Sequence, residues 1–222
     1  MRQGKGSLYM AVAAFLLIMG LSVGPAWGAV GCELNNADRD VPRLFPGSTS
    51  YEPTEFDMRK IGGKSLAAKV EAKLRNKLHG LYETIDVPYT LYEVFNKNQK
   101  IGYIHGVTQK GQFGGINIFL VMDLDLRIKT IYIQKMSGEY ADKFRSPEFA
   151  KQYVGLTLED FESYDVITGK GTGKLAGIKN PAPEAELDFR YIQRGIKKNL
   201  ILVNEFIRVW PASSSKSGTP AK

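Results

Sequence analysis

Residues 165–174 read Asp-Val-Ile-Thr-Gly-Lys-Gly-Thr-Gly-Lys, three glycines set among hydroxyl and lysine side chains. Glycines at this spacing let successive backbone N–H groups turn toward one point, and such a concave nest attracts phosphate. Lys170 and Lys174 add fixed positive charge; Thr168 and Thr172 add hydroxyls that can donate to an anion or be esterified by it. A solvated, flexible loop has the same composition, so the surrounding sequence has to decide between the two. A nucleotide P-loop is excluded. Three residues separate Gly169 from Gly173-Lys174, one fewer than that motif requires, and Leu175 stands where its hydroxyl should be.

Other chemistry is thinly supplied. Cys32 is the only cysteine, and the two histidines, His79 and His105, are too far apart in sequence for a usual metal cluster. Cys32 has a different reading. Arg2 and Lys5 precede an apolar run from Leu8 to Val23 and then small residues to Gly31, the order of a secretory signal peptide. Ala29-Val-Gly-Cys32 closes it in the manner of a bacterial lipobox, so residues 1–31 are expected to be removed and Cys32 to be acylated, with palmitate among the acyl chains. Cleavage after Ala26-Trp-Gly28, leaving an idle thiol, is the alternative. Glu33 is not an inner-membrane retention aspartate, which favours the outer membrane. The expected location is the bacterial cell envelope, lipid-anchored and facing the periplasm or exterior, where nucleic acid is not a partner. Removing residues 1–31 takes away two cations and no acid, leaving +5 of the formal +7. The positive charge gathers between Arg59 and Lys77 and again at Arg190, Arg194, Lys197 and Lys198, which suits an anionic membrane, an acidic partner or a phosphate ligand.

The loop needs elements to hold it. Residues 32–63 are polar, with Pro42, Pro46 and Pro53, and read as a flexible tether. Leu66, Val70, Leu74, Leu78 and Leu81 recur at helical spacing behind a capping Ser65. Four strands follow, Tyr89–Phe95, Ile101–Thr108, Ile116–Met122 and Ile128–Gln134, so closely spaced that only an antiparallel meander fits, with Ile116, Ile118, Leu120, Ile131 and Ile133 on the core face. Ser146-Pro-Glu and Thr157-Leu-Glu-Asp are helix starts. The glycine-rich loop then feeds a last helix, about Leu187 to Val209, with Phe189, Ile192, Ile196, Leu200, Val203 and Phe206 on one stripe. The expected fold is α+β, a four-stranded antiparallel sheet with helices on one face, spanning residues 64–210 and followed by a disordered tail over residues 211–222.

Over Pro88 to Phe206 the ordered series Leu91-Tyr-Glu-Val-Phe, Lys100-Ile-Gly-Tyr, Gly111-Gln-Phe-Gly-Gly-Ile, Asp123-Leu-Asp-Leu-Arg-Ile and Ile131-Tyr-Ile-Gln resembles the FMN-binding domain family. Ala141-Asp-Lys-Phe and Gln152-Tyr-Val-Gly stand where that family has Gly-x-Lys-Ile and Gln-Phe-x-Gly. The family includes the small flavin-carrying subunits of the Rnf complex and of the sodium-pumping quinone reductase. The resemblance implies an FMN held by its phosphate at the loop, often as a phosphoester to the last threonine of Asp-x-x-Ser/Thr-Gly-Ala-Thr. It implies electron relay between a membrane redox complex and an exported cytochrome or reductase, a carrier more than an independent enzyme. Here the motif is degenerate: aligned without a gap, Lys170 replaces the alanine and Gly171 the esterified threonine, with Thr172 one residue further on. Covalent flavin, non-covalent FMN and a loop that has lost the flavin all remain open, and with the last a flavin-free scaffold docking an acidic partner or phospholipid. If FMN binds, the amides of Gly169, Gly171 and Gly173 would face its phosphate. Thr168 or Thr172 would hydrogen-bond it and Lys170 and Lys174 would neutralise it, while Tyr140 and Phe113 are candidates to lie against the ring.

Overall fold

The computed structural model describes residues 32–78, 82–83 and 87–209. Residues 1–31, read above as a signal peptide, His79, Leu81 and residues 211–222, read as a disordered tail, lie outside the described residues. Among the described residues five strands form one antiparallel meander in the order β1 (Ser50–Asp57), β2 (Pro88–Asn96), β3 (Gln99–Gly111), β4 (Gly114–Met122) and β5 (Ile128–Lys135). β2 to β5 are the four strands legible in the sequence.

The fifth strand corrects the four-strand expectation and lies in the stretch read as a tether. That stretch is folded. Helix α1 (Ala37–Leu44) is capped by Asn36, whose side-chain oxygen accepts from Arg39 N at 3.0 Å, and β1 then pairs with β2, Phe56 opposite Tyr89 and Thr54 opposite Leu91. β1 is an edge strand that buries Phe56 alone among its residues and carries Pro53, so it shows no apolar alternation.

Side-chain alternation divides the sheet into two buried faces. Leu91, Val107, Ile118, Leu120, Ile131 and Ile133 belong to the larger core, beneath α3 (Gly63–Leu74) and the long C-terminal helix. Tyr92, Val94, Ile104, Phe119 and Val121 point the other way and are covered by Cys32, Leu34, Val41, Leu44 and Phe45. Helices on one face is therefore also corrected: α1 and the chain leading into it close the second face. Leu34 N donates to the Tyr92 hydroxyl at 3.1 Å, and Gln134 exchanges bonds with Asn35 N and Glu33 O.

α2 (Met58–Ile61) leads into α3, which is capped at Gly62 and ends at Arg75 in the left-handed conformation, φ 54°, so Ser65 is not its cap and Leu78 lies beyond it. After β5 come α4 (Ala141–Phe144), α5 (Pro147–Lys151) and α6 (Leu158–Glu162). Ser146 Oγ caps α5 by accepting from Phe149 N at 3.2 Å, and Thr157 with Asp160 forms a capping box on α6. α7 (Glu186–Val209) runs across β3 and β4, with its six-residue apolar stripe buried. A Cβ on Gly195 would stand 2.5 Å from Ile118 Cδ1, so glycine is what lets α7 lie this close to the sheet.

Candidate functional site

α6 delivers the chain to the glycine-rich loop, and the loop is closed largely on itself. The Asp165 carboxylate accepts from Ile167 N at 2.8 Å and Thr168 N at 3.3 Å, and its own carbonyl takes Gly169 N at 2.8 Å. These N–H groups hold the Asp165 carboxyl below the usual carboxylate range. Lys170 O accepts from Asp165 N at 2.8 Å, and Ser163 Oγ bridges the N–H and the carbonyl of Thr172. The nest expected from Gly169, Gly171 and Gly173 is therefore only partly available. Gly169 N is committed to Asp165, while the amides of Gly171 and Gly173 make no hydrogen bond among the described residues.

The side chains are divided in the same way. Thr168, Lys170 and Thr172 are exposed. Lys174 pairs with Asp160 at 3.0 Å, so its charge is already partly offset. At Gly171 a Cβ would stand 2.9 Å from Leu175 Cβ and 3.4 Å from Tyr164 Cδ2. The position where the resembling family carries a threonine is thus one where this backbone accepts glycine.

Beneath the loop, α7 presents Glu186, Arg190, Gln193 and Lys197 along one side, the i, i+4, i+7, i+11 spacing of a helix face. Arg190 donates to Ile167 O, and its aliphatic stem packs under Gly169, whose φ of 75° suits glycine. Lys197 Nζ donates to Tyr164 O at 2.7 Å. Arg190 Nε and the Tyr164 hydroxyl are buried and have no hydrogen-bond partner among the described residues. Burial raises the Tyr164 pKa.

Next to the loop opens a cavity of about 480 Å³ lined by Val166 and Ile167 from the loop, Arg190, Tyr191 and Arg194 from α7, Gln109 and Lys110 from β3, and Asn76 and Glu83. Its floor is a buried ionic network. Arg194 bonds both oxygens of Glu83 and Gln109 Oε1, and Lys198 Nζ bonds Glu83 Oε1 at 2.8 Å and Thr108 O at 2.8 Å. Burial opposes ionisation of Glu83, but Lys198 and Arg194 outweigh it and hold the carboxyl at about 2. Burial lowers the Lys198 pKa. The cavity lining carries Lys110, Arg190 and Arg194 against the carboxylate of Glu83, which makes it electropositive. Ile167, 60 % exposed, and Tyr191 form an apolar wall. Arg190, Arg194 and Lys198 were visible in the sequence only as a basic cluster; Glu83, Gln109 and Lys110 gave no signal.

Phe113 and Tyr140 are not part of this lining. Phe113, 61 % exposed, tips the β3–β4 hairpin against Gly138, and the hairpin is tied to α7 by Gln112 N donating to Asp188 Oδ1 at 2.7 Å. Tyr140 is half-buried with Lys143 Nζ 5.2 Å from its ring centre. Cys32 is 1 % exposed within the second core, and burial pushes its thiol up to about 12. The basic run from Arg59 to Lys77 is partly neutralised. Lys69 and Lys73 converge on Glu205, and Lys60 and Lys77 pair with Asp57 and Glu71. Among the described residues no group of His, Cys, Asp and Glu could hold a metal ion, and no helix is long and apolar enough to cross a membrane.

No family model matches the chain, and no curated protein matches it either. Among solved structures, it is similar to the crystal structure of NqrC from Shewanella oneidensis, with a TM-score of 0.54 and 15% identity over 83% of this chain and 94% of that one. The α+β architecture, an antiparallel sheet with a long helix across it, is thus one that NqrC shares.

Proposed function

We propose that the protein is an FMN-carrying electron-transfer protein of the cell envelope that holds its flavin without a covalent bond. The observation that carries this reading is an electropositive cavity with an apolar wall, set against a glycine-rich loop in an NqrC-like fold. The motif order along the sequence points the same way. The residues fit the group: Lys110, Arg190 and Arg194 can oppose a phosphate dianion, and Ile167 and Tyr191 offer an apolar surface to a flat ring. FMN, when bound, supplies the redox chemistry, and the chain supplies binding, orientation and the surrounding charge. Covalent attachment at the position the resemblance implies is disfavoured because Gly171 has no hydroxyl and a Cβ there would stand 2.9 Å from Leu175 Cβ.

The role is relay between a membrane redox complex and an exported cytochrome or reductase. Attachment to the membrane through acylated Cys32, after loss of residues 1–31, belongs to the same proposal and rests on the order of residues from Arg2 to Cys32. It carries a structural condition: for Sγ to bear lipid, the segment at Cys32 has to leave the sheet face that now covers it.

The test is colour. The mature protein, purified from a host that supplies flavin and a flavin transferase, is expected to be yellow, with the colour passing to the supernatant on acid precipitation. Colour retained in the pellet would show a covalent bond, and a colourless protein that takes up no added FMN would end the flavin reading. Mass spectrometry of the mature N-terminus tests the lipid.

A further inference from the structure

In the family resemblance the glycine-rich loop seats the phosphate. In this chain the loop is poorly equipped for that. Four of its backbone N–H groups, those of Ile167, Thr168, Gly169 and Thr172, are taken by Asp165 and Ser163, and Lys174 is paired with Asp160. The uncommitted charge lies one layer below. Lys110 and Arg190 have no carboxylate within salt-bridge distance among the described residues, and both line the cavity. Arg190 spends one donor on Ile167 O and keeps a buried Nε with no partner among the described residues. Behind them Arg194, 5 % exposed, and Lys198, fully buried, share the carboxylate of Glu83, so among the described residues this side of the cavity holds more positive charge than it offsets. Arg190, half-buried with its Nε buried and without a counter-ion, is costly to hold there, and an anion entering the cavity would relieve that cost and meet the exposed Lys110 at its edge.

We propose that Lys110 and Arg190, backed by Arg194, form the anion seat of this protein, and that its ligand carries a phosphate monoester dianion bound in the cavity rather than on the loop. The proposal rests on the flavin reading for the ring of that ligand but not for its phosphate. The seat is built on rigid elements, the end of β3 and the first turns of α7, so it needs no rearrangement of the loop. Arg190 also holds Ile167 O, which couples the seat to the loop that forms the cavity's edge.

The experiment titrates the full mature chain with FMN, riboflavin and inorganic phosphate, following flavin fluorescence for the first two and calorimetry for the third. Lys110→Gln, Arg190→Gln and Thr172→Ala are compared, with thermal unfolding as the control for folding. Lys110 is exposed at a strand end, so its variant is expected to fold normally even if Arg190→Gln loosens the loop. The expected result is FMN bound at least tenfold tighter than riboflavin, a tenfold or greater loss of FMN affinity in Lys110→Gln and Arg190→Gln, little change for riboflavin, and no loss in Thr172→Ala. FMN affinity unchanged in Lys110→Gln and lost in Thr172→Ala would place the phosphate on the loop and overturn the proposal. If neither flavin binds the wild-type protein, the flavin reading fails by itself. The seat is then decided by phosphate alone: binding that Lys110→Gln abolishes supports it, and absence of phosphate binding refutes it.

Discussion

Gly171 sits where the backbone leaves little room for a side chain. A threonine placed there would set its Cβ 2.9 Å from Leu175 Cβ, an atom bonded directly to the backbone with little freedom to move. Gly171→Thr alone is therefore expected to create no covalent flavin, even beside a flavin transferase, and to cost about 1–3 kcal/mol in chemical denaturation from overpacking. A yellow acid pellet from that variant would show that the loop accommodates the side chain after all. His105 and Glu83 make a second pair of residue-scale expectations. Burial holds the His105 imidazole down at about 4, against an ordinary value of 6.5, with Nδ1 2.7 Å from Asn199 Oδ1. The unfolded chain takes up that proton first, so the stability His105 contributes is complete above about 6.5 and drains as pH falls toward 4. Glu83, held at about 2 against 4.5, contributes on the order of 3 kcal/mol above 4.5 and loses it between 4.5 and 2. The melting midpoint should decline across both windows, and His105→Gln should flatten the upper one while leaving the lower. An unchanged slope between pH 6.5 and 4 in that variant would remove His105 from the account.

Among the elements, α7 does two jobs at once. Its apolar stripe fixes it to the sheet, while Arg190 and Arg194 line the cavity, Lys198 backs them through Glu83, and Lys197 holds the foot of the loop. Gly195 sets the separation. Gly195→Ala is expected to lift α7 from β4 and cost about 1–3 kcal/mol, and, because Arg194 and Lys198 ride on the same helix, to weaken the proposed flavin binding as well. A variant with native stability and affinity would mean that Ile118 simply rotates away. The elements legible in the sequence are those with a local signal. β2 to β5, the stripe of α7 and the caps at Ser146 and Thr157 each carry a local periodicity or a local hydrogen bond, which sequence displays directly. β1 and α1 do not, since an edge strand that buries Phe56 alone and a short helix containing Pro42 look like a linker. The cavity was illegible for another reason: Glu83 and Arg194 are 111 positions apart, and only the fold joins them.

At the scale of the whole molecule, the Cys32 segment is part of the structure, tied to it by Tyr92, Thr90 and Gln134. In protein made without lipid, a thiol raised to about 12 and covered by the second core should react with a thiol reagent at pH 8 at least about a thousandfold slower than a free cysteine, and at normal speed in denaturant. Rapid labelling of the native protein would instead reveal that the segment lifts readily, the movement that the proposed acylation would need.

The cover over the second sheet face also fixes where the chain can be cut. Trimming to residue 64, where the composition changes, would discard α1 and β1, bare Tyr92, Val94, Ile104, Phe119 and Val121 to water, and leave β2 as a long unpaired border. Such a fragment offers both an apolar plane and an open row of strand amides, the two ingredients of sheet-to-sheet aggregation. The smallest soluble piece of this protein is therefore expected to begin at Cys32 rather than at the first long helix.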